Sequence, residues 1–526
     1  MRTTSRRAVL LAAAGMGAAA LSVRRPPEAH AHTQAGVVII GSGYAGAVTA
    51  LRLAQQGIAS TIVERGRWWP VTDRGDTFAT PTRPDGRATW IPGVATGVLE
   101  VAPGTGVNCL AGAGVGGGSL VNYAVMMTPS EELFRQSFGD SLDYGEMAER
   151  WYPRARTLLG CTPIPDDVLA SPAYAGAREF STASSQAGLD TIRPDLAIDW
   201  NIVRREIAGH LRPSATAGEC MWGMNSGAKL SVDRTVLAAA LATGLVTVRE
   251  LHHVTAIRQV AGGGESGAGA AAEGATNGQG AQPRYTVSCA VLDHSGKTRS
   301  TTELQTSTLV LAAGSLGTTQ LLVRAREQGD IATLGASIGT GWGTGGDHVT
   351  IRLGIRDSRS QGGPAPVVAT DWRSNTPLSL LNFPLGIGPL DGVTQNALAV
   401  GIVPPIGTFT YNRLRDRVDL HWPEHDRAVR ASSRGVDAML GRIGEQLPRT
   451  APALSLPLVT AHPLGGAVLG AAADSYGRVH GHPGLHVVDS ALIPGSTGAV
   501  PPALTVTAIA DRCASALAAD LIRETS

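Results

Sequence analysis

Three glycines and one acid carry the first chemistry legible in this chain. In Val37-Val-Ile-Ile-Gly-Ser-Gly-Tyr-Ala-Gly-Ala-Val48, a short apolar run turns at Gly41, Gly43 and Gly46 into the helical pattern Ala45–Gln56. In a strand–turn–helix unit of this kind the first glycine makes the turn and the second lets the backbone approach a pyrophosphate. The third lets helix and strand pack closely. The helix N-terminus, with Tyr44 and Ala45 at its start, offers free N–H groups and the positive end of its dipole to phosphate. A second strand, Thr61-Ile-Val-Glu64, ends in an acid about 20 residues further on, where such units hold a ribose hydroxyl. Glu64 points to an unphosphorylated ribose, hence FAD or NAD rather than NADP, and the loop does not choose between them.

Other segments repeat the same logic. Gly112-Ala-Gly-Val-Gly-Gly-Gly-Ser-Leu-Val-Asn122 leaves a long stretch of backbone bare, as a chain needs when it passes close to a flat ligand. Thr308-Leu-Val-Leu-Ala-Ala-Gly-Ser-Leu-Gly-Thr318 is another buried strand breaking into a helix, Thr318–Glu327. Ile338–Gly346 is a further glycine-rich turn with Trp342 inside it. Near the end, Ala461-His-Pro-Leu-Gly-Gly466 presents His462 in a tight turn, and Gly484-Leu-His-Val-Val-Asp489 is a strand ending in an acid. Pro501-Pro-Ala-Leu504 leads into a terminal helix, Leu504–Ile522.

These residues need a scaffold of more than one core, because 526 residues exceed what a single core holds. Apolar content of 43% is that of a globular protein, and a net charge of +1 gives no reason to expect nucleic acid. The five cysteines, Cys109, Cys161, Cys220, Cys289 and Cys513, lack CxxC spacing, so neither a metal site nor a disulfide framework is expected; one disulfide is left open. Helical patterning occupies Ser130–Gly160, with Thr128-Pro-Ser-Glu-Glu132 as its cap. Short strands are expected over Leu245–Ile257 and Tyr285–Ala313, interrupted by an Ala/Gly-rich insertion, 261–283, expected to be disordered. Residues 67–106 read as loop, and from Thr350 to about Val459 strands and loops are expected, with a helix over Arg427–Leu447 weakened by Ser432, Ser433 and Gly435. At the start, Thr4-Ser-Arg-Arg-Ala-Val-Leu10 precedes the apolar run Ala8–Val23 and the small-residue site Ala29-His-Ala31. That is the layout of a twin-arginine signal peptide over residues 1–31, implying a secreted or cell-envelope protein.

Taken together, Gly41–Gly46, Gly114–Asn122, Asn225-Ser-Gly-Ala-Lys229, Ala312–Gly317, Gly339–Gly343, His462–Gly466 and Leu485–Asp489 resemble the glucose–methanol–choline family of FAD oxidoreductases, its cholesterol-oxidase branch in particular. The resemblance implies an α/β fold: a Rossmann-like FAD-binding domain (36–129, 225–345 and 456–526) and a discontinuous α+β substrate-binding domain (130–224 and 346–455). It implies non-covalent FAD, since no histidine stands in Asn108–Gly118 to take a covalent link. Gly41, Gly43, Gly46 and Glu64 would hold the ADP half. Gly117, Ser119 and Asn122 would lie against the flavin, Asp489 near the ribityl–pyrophosphate, and Pro502 with the terminal helix at the pyrimidine edge. His462 would be the catalytic group that exchanges the alcohol proton.

The sequence departs from the family twice. Pro501 stands where an asparagine amide helps hold the substrate hydroxyl, and proline has neither side-chain donor nor N–H. That contact is lost unless a neighbour such as Thr497 replaces it. In addition, the glutamate that moves a sterol ring proton has no counterpart, because Leu381 or Asn382 falls at its place. The expected activity is therefore oxidation of a secondary alcohol, a 3-hydroxysterol such as cholesterol, to the ketone, with O₂ as acceptor giving H₂O₂. Double-bond isomerisation is not expected. An apolar substrate carries the further expectation of peripheral membrane contact. A non-sterol alcohol, non-redox lyase chemistry and a flavin-binding remnant are the readings left open beside it.

Overall fold

A computed structural model describes residues 32–260, 282–353, 362–391, 393–447, 451–455 and 459–525. Residues 1–31, where the signal peptide is expected, and 261–281 of the insertion expected over 261–283 lie outside them. The strand His32–Ile40 forms the centre of a seven-stranded sheet ordered Val246–Arg249, Ser60–Val63, His32–Ile40, Thr298–Leu311, Tyr285–Leu292, His252–Gln259, with Leu485–Val487 also pairing Thr298–Leu311. Around the centre the pairing is parallel. Only the hairpin side, His252–Gln259 and Tyr285–Leu292, runs antiparallel. Parallel strands buried on both faces need continuous apolar runs, and Val37, Val38, Ile39 and Ile40 are all buried. The C-terminal ends of the parallel strands deliver Gly41, Glu64, Ala312 and Asp489 to one edge, where ligands bind in open α/β sheets.

Gly41 and Gly46 explain why the first turn is tight. Gly41 has φ +99°, and a Cβ there would lie 2.3 Å from the Ala312 carbonyl oxygen. A Cβ on Gly46 would lie 1.9 Å from the Gly41 carbonyl oxygen, so the helix Tyr44–Gln55 can approach its strand only without one. That helix packs against the terminal helix Ala503–Thr525. Between them buried Asp511 accepts bidentate bonds from Arg52 (2.6 and 2.9 Å) and Arg154 (3.0 and 3.0 Å).

A second, six-stranded antiparallel sheet runs Leu454–Ser455, His348–Leu353, Thr394–Gly401, Leu378–Phe383, Val368–Asp371, Asp190–Ile192. Its faces separate by strand parity. Leu381, Phe383 and Leu398 join the main core, whereas Leu378, Leu380, Ala397 and Ala399 pack on the helices Ala175–Gln186 and Arg427–Glu445.

Several expectations shift. The helix Arg427–Glu445 is continuous through Ser432, Ser433 and Gly435, because Asp426 caps it and Val436, Met439 and Ile443 bury one face. The helix anticipated from Thr318 starts at Gly314. The region read as loop contains short strands, of which Leu99–Pro103 pairs with Asn108–Gly112. The expected cap holds: Ser130 accepts from Leu133 N. All five cysteines are free, which closes the question of a disulfide.

Candidate active site

One cavity of about 1040 Å³ runs from the edge of the parallel sheet to the second sheet. It exceeds what one ordinary small molecule needs, leaving room for a dinucleotide and a second ligand. Gly41, Gly43, Tyr44 and Ala45 line its first end. The helix that starts there has no side-chain cap, so its leading N–H groups stay free for an anion. Gly46 is not in the wall; it serves the packing described above. Glu64 does line the cavity, buried at 7% exposure. It accepts from Ser42 N (3.1 Å), Ser42 Oγ (2.7 Å) and Gly66 N (2.8 Å). A carboxylate has about four acceptor positions, so one remains for a hydroxyl.

Ser42 went unnoticed in the sequence. Its Oγ also accepts from Gly116 N at 3.1 Å, coupling the first turn to the glycine loop. Gly117, Gly118 and Asn122 line the middle of the cavity. A Cβ on Gly118 would meet no protein atom within 4 Å, and one on Gly117 would sit 2.8 Å from Gly43 Cα. These bare positions form a cradle that side chains would fill. Ser119 does not reach it: the buried hydroxyl donates to Gly116 O (2.7 Å) and accepts from Val232 N (3.0 Å). It shapes the turn from behind rather than touching a ligand. Asn122 Nδ2 donates to Tyr44 Oη at 2.8 Å, and burial pushes the Tyr44 phenol well above its ordinary range, so it keeps its proton.

Asp489 closes the sheet edge. It accepts from Gly314 N (2.8 Å), Thr318 Oγ1 (2.5 Å) and Ala491 N (2.8 Å), yet burial pushes its pKa from 3.8 up to about 6. Pro501 and Pro502 line the wall just before the terminal helix. Thr497 cannot replace the missing amide, because its buried hydroxyl donates to Val500 O at 2.5 Å and it is not among the cavity-lining residues.

His462 also lines the cavity. Its Nδ1 lies 2.7 Å from Oδ1 of fully buried Asp347. The other oxygen of Asp347 accepts from Thr460 Oγ1 (3.0 Å), Ala461 N (2.8 Å) and His462 N (3.1 Å). An ionised carboxylate only accepts, so this contact makes Nδ1 the donor and leaves Nε2 of a neutral ring as the acceptor. Asp347 was missed because it is 115 residues away in the chain. The available signal was an acid directly after the glycine pair Gly345-Gly346, opening the strand His348–Leu353. The second sheet and its neighbouring loops give the cavity apolar lining: Val349, Ala365, Leu381, Phe383, Leu385 and Leu398. Asn382 points away and donates to Asn396 O at 3.2 Å.

A bare backbone cradle, an uncapped helix N-terminus, an acid for a ribose and an oriented histidine define a dinucleotide-dependent oxidoreductase. The chain belongs to the GMC (glucose–methanol–choline) oxidoreductase family: residues 36–326 match its N-terminal model and 410–510 its C-terminal model. It is 26% identical to a cholesterol oxidase of Mycobacterium tuberculosis, over 91% of this chain and 90% of that one. It is also 26% identical to a paromamine 6'-oxidase of Streptomyces fradiae, over 92% of each. Among solved structures, a pyridoxine 4-oxidase from Mesorbium loti superposes with TM-score 0.61 at 18% identity, covering 91% of this chain and 98% of that one. An Aspergillus oryzae formate oxidase gives TM-score 0.61 at 15% identity, covering 93% and 99%.

The protein is thus an FAD-dependent alcohol oxidoreductase acting on CH–OH donors. FAD supplies the hydride acceptor. The residues present fit it: Gly41, Gly43 and the free helix N-terminus would hold the pyrophosphate, Glu64 a ribose, and Gly117, Gly118 and Asn122 the bare-backbone wall. The chain itself must hold the alcohol and take its proton, and His462, held at Nδ1 by Asp347, would be the acceptor for that step.

Proposed function

We propose that this protein oxidises a secondary alcohol on a bulky apolar molecule, a 3-hydroxysterol, to the ketone, with O₂ as the final acceptor giving H₂O₂. The observation that carries this reading is the apolar wall from the second sheet, with Leu381, Phe383 and Leu398 lining the same cavity as His462. A rigid apolar body fits such a wall, leaving one hydroxyl for His462 Nε2. The cholesterol-oxidase relative supports the same reading. None of the cavity-lining residues from the second sheet, among the described residues, is a carboxylate. That wall therefore supplies no base for a ring proton, and the ketone is expected to keep the substrate's double-bond position. The twin-arginine leader supports action outside the cytoplasm, where an apolar alcohol is met at a membrane surface.

Anaerobic mixing with a panel containing cholesterol, related 3-hydroxysterols, paromamine and pyridoxine tests this. Sterols should bleach the bound-flavin absorbance, and admitting O₂ should restore it with H₂O₂ formed. Bleaching by paromamine or pyridoxine alone would assign the site to a polar alcohol. Rapid appearance of conjugated-enone ultraviolet absorbance would sink the claim about the double bond.

A further inference from the structure

Lys229 is buried at 4% exposure, and among the described residues no carboxylate is bonded to it. Its Nζ instead donates to three backbone carbonyls: Leu120 O (2.9 Å), Asn122 O (2.6 Å) and Cys220 O (2.6 Å). The first two belong to the turn whose Gly117, Gly118 and Asn122 line the cofactor cavity. The same segment braces that turn a second time, through Val232 N to Ser119 Oγ at 3.0 Å. A buried ammonium without a counter-ion is costly unless its donors are all used, and here all three are.

We propose that Lys229 is a positioning residue for FAD: its ammonium holds the Leu120–Asn122 end of the glycine turn in the shape that faces the cofactor, so FAD affinity depends on its charge. This rests on the cofactor alone and not on which alcohol is oxidised. Charge matters because an ammonium has three donors and a neutral amine two. On deprotonation one of the three carbonyls loses its partner inside the protein. Burial lowers the Lys229 pKa from 10.5 to about 8, while the Asp233 carboxylate pulls it back up. The groups that face it or its neighbours are Cys220, held protonated by burial up to about 12, Asp233 and Arg234 on its own segment, and Tyr123, Glu206 and Glu219, which interact with Cys220.

The test is titration of FAD-free protein with FAD, followed by flavin fluorescence between pH 6.5 and 9.5, each apo-protein first checked by circular dichroism. Wild-type affinity should hold below pH 8 and weaken roughly tenfold by pH 9.5, the loss of one charge-assisted hydrogen bond. Lys229→Met should bind FAD at least a hundredfold more weakly, with a flat pH profile. Lys229→Arg keeps its charge throughout and should stay within about tenfold of wild type while losing the fall above pH 8. Wild-type affinity that is constant across this range would overturn the proposal without recourse to any variant. So would Lys229→Met binding within twofold of wild type at pH 7, or a Lys229→Arg profile that still falls above pH 8.

Discussion

His462 can accept a proton at Nε2 because Asp347 occupies Nδ1, and Asp347 is held there by three further donors from the same turn. Removing the imidazole should lower kcat by roughly 10²–10⁴, the usual worth of a positioned acid or base. His462→Ala should nevertheless keep its flavin, since the cradle of Gly41, Gly117 and Gly118 does not involve the ring. Asp347→Asn tests orientation separately. An amide can turn its NH₂ toward Nδ1 and favour the other tautomer, so flavin reduction should slow by about 10–10² with KM changed little. Rapid-mixing absorbance under anaerobic alcohol reads both. Equal rates for wild type and Asp347→Asn would remove Asp347 from the mechanism. Of this pair only His462 was legible, because its Pro/Gly turn is local. Asp347 becomes meaningful only when the strand it opens is laid beside the turn at Thr460.

The strand Leu378–Phe383 shows what an element adds to its residues. All six positions are buried, so the sequence offers no polar alternation from which to tell its faces. Pairing of Leu381 with Leu398 and Val368 sets one parity toward the cavity. Leu380 goes the other way, into the cluster with Phe180, Met439 and Ile443. Neighbouring truncations should therefore separate. Leu380→Ala leaves a void in a closed core and should cost ~2–5 kcal/mol of stability, seen as a lower thermal midpoint with KM unchanged. Leu381→Ala borders space already open, so stability should fall less. Its kcat/KM for a bulky alcohol should drop roughly 10–10²-fold as apolar contact is lost. If both variants moved the same quantity, the assignment of faces would be wrong. Contrast the helix Tyr44–Gln55, legible to within a residue because its glycines, apolar period and preceding strand all agree.

At the scale of the molecule, the cavity is closed only when segments from both ends of the chain meet: the first turn at Gly41, the turn at His462 and the terminal helix after Pro502. The cofactor half was legible because its recognition uses backbone, and bare backbone is written as glycine. The substrate half was not, since side chains from a long-range antiparallel sheet build it and no short motif encodes their register. Bringing strand ends together also crowds a carboxylate into the sheet edge, and this gives the whole fold a pH dependence. Asp489 has a pKa of 3.8 ordinarily and about 6 when folded, because burial outweighs its three hydrogen bonds. The folded state then binds that proton more tightly than the unfolded one. Its contribution to stability is fully present below pH 3.8 and is lost as pH rises through about 6. Between pH 7.5 and 4.5 the FAD-free wild type should therefore gain ~2 kcal/mol relative to Asp489→Asn, which has no proton to bind. Urea unfolding of both proteins across that interval measures the difference, and other carboxylates cancel in it. A constant gap would mean that Asp489 is solvated in solution. A gap that moved the opposite way would mean that its hydrogen bonds from Gly314, Thr318 and Ala491 outweigh its burial.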